Sequence, residues 1–198
     1  MPGGGQPIFR LAVVGDSTAA GVGVDRHDQG VAGIFARTMA ERLQRDVEWS
    51  ANGAVHATLR KIRDQVIPSL PEDLDLVVLL AGVADALYGE SLEDWSIDIA
   101  AAIEDLAVRH RHVIVAGMPP LKDFPVLPRA LAAFLDERGR EMDAETARVC
   151  AGRGNVTFAS SRGPYRIRRE LFASDGLHLS EAGYVAWANF LARQVPWM

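Results

Sequence analysis

Two stretches near opposite ends of the sequence hold residue types that could do chemistry together. The first is Gly15-Asp16-Ser17-Thr18-Ala19-Ala20-Gly21-Val22-Gly23. As a phosphate cradle it lacks the Gly-Lys-Ser/Thr ending, and as a dinucleotide fingerprint it lacks the third glycine at the right spacing. Two readings remain. Asp16 and Ser17 either cap a turn, or Ser17 is a nucleophile exposed at the end of a strand, with its own amide turned toward the reacting centre. The second stretch is Ser174-Asp175-Gly176-Leu177-His178-Leu179-Ser180. An aspartate three residues before a histidine in a tight loop can turn its carboxylate onto Nδ1 of that ring. This fixes the tautomer and stabilises the imidazolium formed when Nε2 takes a proton from a serine. Taken singly, such a histidine is an ordinary surface residue and such an aspartate an ordinary helix cap.

Other candidates point to structure. His110 and His112, beside Arg109 and Arg111, read as a solvated helix end, because no carboxylate stands at metal-ligand spacing. His27 with Asp25 and Asp28 reads as a polar loop. Cys150 is the sole cysteine, so it has no internal disulfide partner, and with no base nearby it reads as a small apolar core residue. Trp49, Trp95, Trp187 and Trp197 are widely spaced and read as packing or edge aromatics. No metal or organic cofactor is expected.

The elements that must position Ser17, Asp175 and His178 follow from hydrophobic periodicity. Ile8 to Gly15 and Asp75 to Gly82 are short apolar runs ending at glycine, the pattern of strands buried on both faces. Val47 to Trp49, His112 to Gly117 and Val156 to Phe158 add three more strands. Helical spacing appears over Val31 to Leu43, Leu59 to Ile67, Trp95 to Leu106, Leu131 to Val149 and Tyr184 to Val195. The proline-dense stretch from Met118 to Pro128 reads as a loop without regular structure. Strands alternating with helices predict a three-layer α/β/α sandwich around a five-stranded parallel sheet. In such sheets ligands bind beyond the carboxyl ends of the strands, so the loops after Gly15, Trp49, Gly82 and Gly117 should line one crevice.

Composition sets the outer bounds. The chain has 198 residues, 48% hydrophobic and 24% charged, which suits a flexible start over residues 1–7 followed by one domain over 8–198. The net charge of −5 is spread along the chain, with no basic stripe for nucleic acid. No apolar run approaches the ~18 residues of a membrane span, and no secretory signal is recognisable, so a cytoplasmic location without stable membrane insertion is expected. Oligomeric state is not legible in one sequence.

A strand ending in Gly-Asp-Ser near the start and Asp-x-x-His near the end, in this order of elements, resembles the GDSL or SGNH family of serine esterases and lipases. The resemblance extends to Gly82-Val83-Ala84-Asp85 after the middle strand and to the segment leading into the last helix. It implies a flavodoxin-like strand arrangement, Ser17 as nucleophile, His178 as general base, Asp175 as its orienting carboxylate, no cofactor, and a small-molecule ester as substrate. The family's oxyanion hole uses the nucleophile's N–H, a glycine N–H and an asparagine side chain. Here Ala84 stands at the asparagine position and His56 at the glycine position, with a register centred on Gly53 as the alternative. The His56 imidazole reaching into the space left at Ala84 would restore a donor.

The expected acyl pocket lies between the Ser17 loop with Asp16, the segment carrying Leu87 and Tyr88, and the proline-rich loop with Leu121, Phe124 and Leu127. Its apolar character suits short or medium acyl chains. A non-catalytic binding domain on the same scaffold, or an acyltransferase, is the competing reading.

Overall fold

The computed structural model describes residues 7–162 and 167–195. Most of the expected flexible segment 1–7, and Trp197, lie outside the described residues. Five strands form one parallel sheet: β1 (Phe9–Gly15), β2 (Val47–Gly53), β3 (Leu76–Leu80), β4 (Val113–Ala116) and β5 (Val156–Ala159). Their order across the sheet is β2-β1-β3-β4-β5. The chain leaves β1 toward one edge and returns to build the other side, so the loops after β1 and β3 diverge and open a crevice between them.

The helices cover both faces. On one face α1 (Val31–Leu43) and α6 (Glu181–Ala192) pack over Leu11, Val13, Val78 and Ile114. On the other, α4 (Leu92–Arg109) and α5 (Arg129–Cys150) pack over Ala12, Val14, Leu79 and Val115. Every residue of β3 and β4 is buried, as the continuous apolar runs require of strands covered on both sides. The segment after β2 turns as α2 (Leu59–Lys61), continues through a π-helical turn over Ile62–Val66, and ends in a 3₁₀ turn over Ile67–Ser69 that contains Pro68. A single regular helix was expected there. The proline removes an N–H donor and tightens the end of the segment.

Three further differences from the sequence reading bear on the crevice. β2 runs to Gly53, pairing Trp49–Gly53 with Leu11–Gly15, so its loop begins at Ala54 and not after Trp49. As an edge strand it is only half-covered, and its apolar signal fades after Trp49. A separate two-turn helix, α3 (Val83–Tyr88), precedes α4. Six residues are too few to show a 3.6-residue period. α4 itself starts at an N-cap serine, where Ser91 Oγ accepts the Asp94 N–H at 3.0 Å. The proline-rich loop contains one 3₁₀ turn, Leu121–Asp123, short enough to fit between prolines.

Close backbone approach fixes the mouth of the crevice. A Cβ on Gly15 would lie 2.0 Å from the Leu80 carbonyl oxygen, so only glycine lets the end of β1 sit against the end of β3.

Candidate active site

Ser17 sits in the turn that leaves β1. The Asp16 N–H donates to Leu80 O at 3.1 Å, and Asp16 Oδ1 accepts the Thr18 N–H at 2.8 Å. The Ala20 and Val22 N–H groups close the turn onto Asp16 O and Ser17 O. These bonds hold Ser17 on the crevice side while Asp16 lies buried beneath it. Burial pushes the Asp16 carboxyl above the ordinary range, against the opposing effect of the Thr18 hydrogen bonds.

The second stretch forms the loop between β5 and α6. His178 Nδ1 lies 2.7 Å from Asp175 Oδ2, and His178 Nε2 lies 3.2 Å from Ser17 Oγ. The Leu177 and His178 N–H groups both donate to Asp175 Oδ1, at 2.9 and 3.0 Å. Desolvation works to raise the Asp175 pKa, but these backbone bonds and the His178 ring together bring it down to about 2. The loop is anchored from several sides. Phe172 and Leu179 form an antiparallel bridge, Arg169 donates to the carbonyls of Ala173 and Ser174, and Ser180 Oγ caps α6 through the Gly183 N–H. The structure thus brings together in one hydrogen-bonded row three side chains that are 161 residues apart at the extremes.

The turn after β2 and helix α3 form the opposite wall. His56 is exposed to the crevice and holds φ at +57°, in the left-handed region that glycine adopts without strain. The backbone therefore keeps the glycine-like shape although the residue is histidine, at a cost of about 1–2 kcal/mol. Gly53 is the last residue of β2 and does not form the turn. Ala84 lies in the first turn of α3, buried and lining the crevice with only a methyl group. Gly82, with φ at +118°, starts that helix in a conformation closed to other residues.

Asp85 is a site residue whose role the sequence reading missed. Its carboxylate, 3% exposed, accepts the Leu59 N–H with both oxygens, at 2.9 and 3.2 Å. It joins α3 to the turn that carries His56. Burial raises its pKa to about 6, only partly opposed by the Leu59 hydrogen bond. A lone carboxylate among alanines and valines at a helix start was the available signal.

Of the residues singled out in the sequence, Asp16, Ser17, His56, Ala84, Leu87, Tyr88, Phe124 and His178 line the crevice. Leu121 is a correction. It is 1% exposed, packs into the core under α5 and is not among the lining residues, because the 3₁₀ turn rotates it inward. Leu127 likewise packs against that core. The sequence reading missed Trp187, which it took for a packing aromatic. The indole lines the crevice, with Nε1 donating to Ser161 Oγ at 3.2 Å. Ile167, Leu171, Phe172 and Leu177 also line it. They come from an irregular segment with no period to read.

The remaining candidates lie elsewhere. His110 and His112 are buried, 4% and 7% exposed, and do not form a solvated helix end. They mark where α4 turns under the sheet, and His112 Nε2 meets Thr157 Oγ1 at 2.9 Å. Cys150 is buried, and burial pushes its thiol up to about 11, which keeps it protonated and unreactive. His27 is exposed and opens a 3₁₀ turn, His27–Gln29, beside which Arg26 pairs with Asp28. Among the described residues, no group of three His, Cys, Asp or Glu side chains is placed to hold a metal ion. No described helix is long and apolar enough to cross a membrane.

A serine, histidine and aspartate in one row can move a proton from hydroxyl to imidazole as the serine oxygen attacks a carbonyl. Comparison with known proteins agrees with that chemistry. The model of the GDSL-like Lipase/Acylhydrolase family matches residues 13–186. The GDSL-like esterase Rv1075c of Mycobacterium tuberculosis is 29% identical over 206 residues, covering 95% of this chain and 65% of the relative. The chain thus spans about two thirds of that relative's length. Two solved structures share the fold. The lipase Lip_vut3 from a goat rumen metagenome has a TM-score of 0.73 at 16% identity, covering 94% of this chain and 97% of the other. A family 3 carbohydrate esterase of Clostridium thermocellum has a TM-score of 0.69 at 20% identity, covering 95% of each. The chain belongs to the GDSL-like lipase/acylhydrolase family of hydrolases.

Proposed function

We propose that the protein hydrolyses carboxylic esters with short to medium acyl chains through an acyl-enzyme on Ser17. His178 Nε2 accepts the Ser17 proton as Oγ attacks the ester carbonyl, and Asp175 holds the ring and stabilises the imidazolium. Collapse of the tetrahedral intermediate breaks the bond to the alcohol, which leaves with the proton from Nε2. Water then gives its proton to Nε2, attacks the acyl-enzyme, and releases the acid and free Ser17. The observation that carries this reading is the row Ser17 Oγ, His178 Nε2 and Nδ1, and Asp175 Oδ2, at 3.2 and 2.7 Å.

The oxyanion hole is atypical in this reading. Two backbone N–H groups, of Ser17 and His56, face the developing charge, and Ala84 supplies no side-chain donor. The left-handed backbone at His56 supports its amide as the second donor. Loss of one donor costs about 10²–10³ in kcat, so the enzyme is slow unless the His56 imidazole serves as a third. Asp16, Leu87, Tyr88 and Phe124 border the acyl group in this reading. The substrate in this reading is a small-molecule ester, and nucleic acid takes no part.

The test is hydrolysis of p-nitrophenyl butyrate by the wild type, Ser17→Ala and His178→Ala. Each substitution lowers kcat by at least ~10³ with the fold intact. Tight ligand binding without turnover in the wild type would instead identify a binding protein. Dominant ester exchange in the presence of a competing alcohol would identify an acyltransferase.

A further inference from the structure

The turn that carries His56 is pinned at both ends, by a different element at each. At its start the Ala54 N–H donates to Gly15 O at 3.0 Å, so the chain leaves β2 against the residue that ends β1. At its end the Leu59 N–H donates to Asp85 Oδ1 and Oδ2, at 2.9 and 3.2 Å. Between the pins the Ala57 N–H closes back on Ala54 O at 3.2 Å, and the side chains of Ala57 and Leu59 are fully buried. His56 is the exposed corner of this turn, with φ at +57°. A non-glycine residue stays in that region only where its surroundings over-determine it.

The second pin does not come from the turn itself. Leu59 is the first residue of α2, and its N–H is one of the donors that a helix start leaves open. Thr58, the N-cap residue, makes no side-chain cap bond there. The acceptor is supplied from α3 by Asp85, and α3 is itself wedged in place. A Cβ on Gly82, which starts α3, would lie 2.7 Å from Met118 Sδ, and the Met118 N–H donates to Asp143 Oδ1 at 2.7 Å. Asp85 thus carries the rigidity of the packing around Met118 across to the turn at His56.

Given the esterase reading above, in which the His56 N–H is an oxyanion donor, we infer that Asp85 is a positioning residue for the reaction, holding that N–H where the ester carbonyl oxygen gains its charge. Asp85 does not line the crevice and acts through Leu59. The demand on positioning is high because Ala84 brings only a methyl group, which leaves backbone donors to do the work. Such donors stabilise a developing charge only when their place is set before the reaction begins. Without the second pin, residue 56 can relax out of the left-handed region, and its amide then turns away from the crevice.

The test measures kcat and KM for p-nitrophenyl butyrate, and Ki for 1-butaneboronic acid, whose tetrahedral adduct on a serine places an oxygen where the oxyanion forms. Asp85→Ala is expected to lower kcat tenfold or more with KM within about twofold, and to raise Ki by about the factor lost in kcat/KM. Asp85→Asn, which keeps an acceptor for the Leu59 N–H, is expected to recover kcat to within about threefold of wild type. Circular dichroism and the urea midpoint check that each variant is folded in the assay. Asp85→Ser, polar but too short to reach Leu59, takes the place of Asp85→Ala if the latter does not fold. An unchanged kcat on loss of the acceptor, a loss confined to KM, an unchanged Ki beside a lowered kcat, or an Asp85→Asn variant as slow as Asp85→Ala would each overturn the inference and leave the esterase reading standing. No hydrolysis of acetate, butyrate or octanoate esters by the wild type would sink the esterase reading itself.

Discussion

The carboxylate of Asp85 accepts the backbone N–H of Leu59 with both oxygens, at 2.9 and 3.2 Å, and so ties the helix bearing Ala84 to the turn bearing His56. Burial, opposed only in part by backbone hydrogen bonds, makes the group resist ionisation and raises its pKa to about 6. The two elements beside the nucleophile are thus held by a group whose charge changes around pH 6.

Asp85→Asn keeps an acceptor for Leu59 and removes the charge. The carboxyl is raised in the folded state from 3.8 to about 6, so the folded protein holds its proton where the unfolded chain has lost it. Wild-type stability falls as pH rises through that window, by on the order of 3 kcal/mol at full ionisation. The stability of Asp85→Asn relative to wild type should therefore increase between pH 4.5 and pH 8 in urea denaturation. A constant difference would contradict the account. Asp85→Ala strands the Leu59 N–H, at a cost of about 1–3 kcal/mol, and because it too removes the titrating carboxyl, its stability relative to wild type should rise in the same way between pH 4.5 and pH 8.

His56 separates backbone from side-chain contributions to the oxyanion hole. His56→Gly relieves the left-handed strain and keeps the amide, so stability should rise by about 1 kcal/mol. An unchanged kcat in this variant would assign the donor to the backbone. A tenfold or larger loss would assign it to the imidazole.

Ala84→Asn restores an amide donor beside the nucleophile. If only two donors serve the wild type, kcat on p-nitrophenyl butyrate should rise tenfold or more, with KM little changed. No gain would mean that another group already fills the place.

Acid should weaken the fold through His110. Its ring is buried, and both nitrogens lack a hydrogen-bond partner among the described residues. Burial first, and then Arg109, lowers its pKa below the usual 6.5. The unfolded chain therefore takes up the proton first as pH falls, and stability drops progressively below about pH 6.5. His110→Phe should flatten that part of the stability profile. An equally steep decline would place the acid sensitivity elsewhere.

The five strands and the order of the main helices were legible because β1, β3 and β4 are continuous apolar runs and α1, α4 and α5 are long enough to show their period. The row of Ser17, His178 and Asp175 was legible as two spaced motifs. What escaped has a physical reason in each case. α3 is two turns long, and β2 loses its apolar signature where it becomes a half-covered edge. Leu121 and Trp187 exchanged expected places because a 3₁₀ turn directs one into the core and α6 turns the other to the crevice. The role of Asp85 depends on a backbone partner 26 residues away, and such pairings leave no mark in local sequence.

The most direct measurement is peptide-resolved mass spectrometry of the protein quenched in acid during turnover of p-nitrophenyl butyrate. A butyryl group on Ser17, absent when His178 is replaced by alanine, is the predicted result. Undiminished hydrolysis by Ser17→Ala, or an acyl group carried by another residue, would contradict the account.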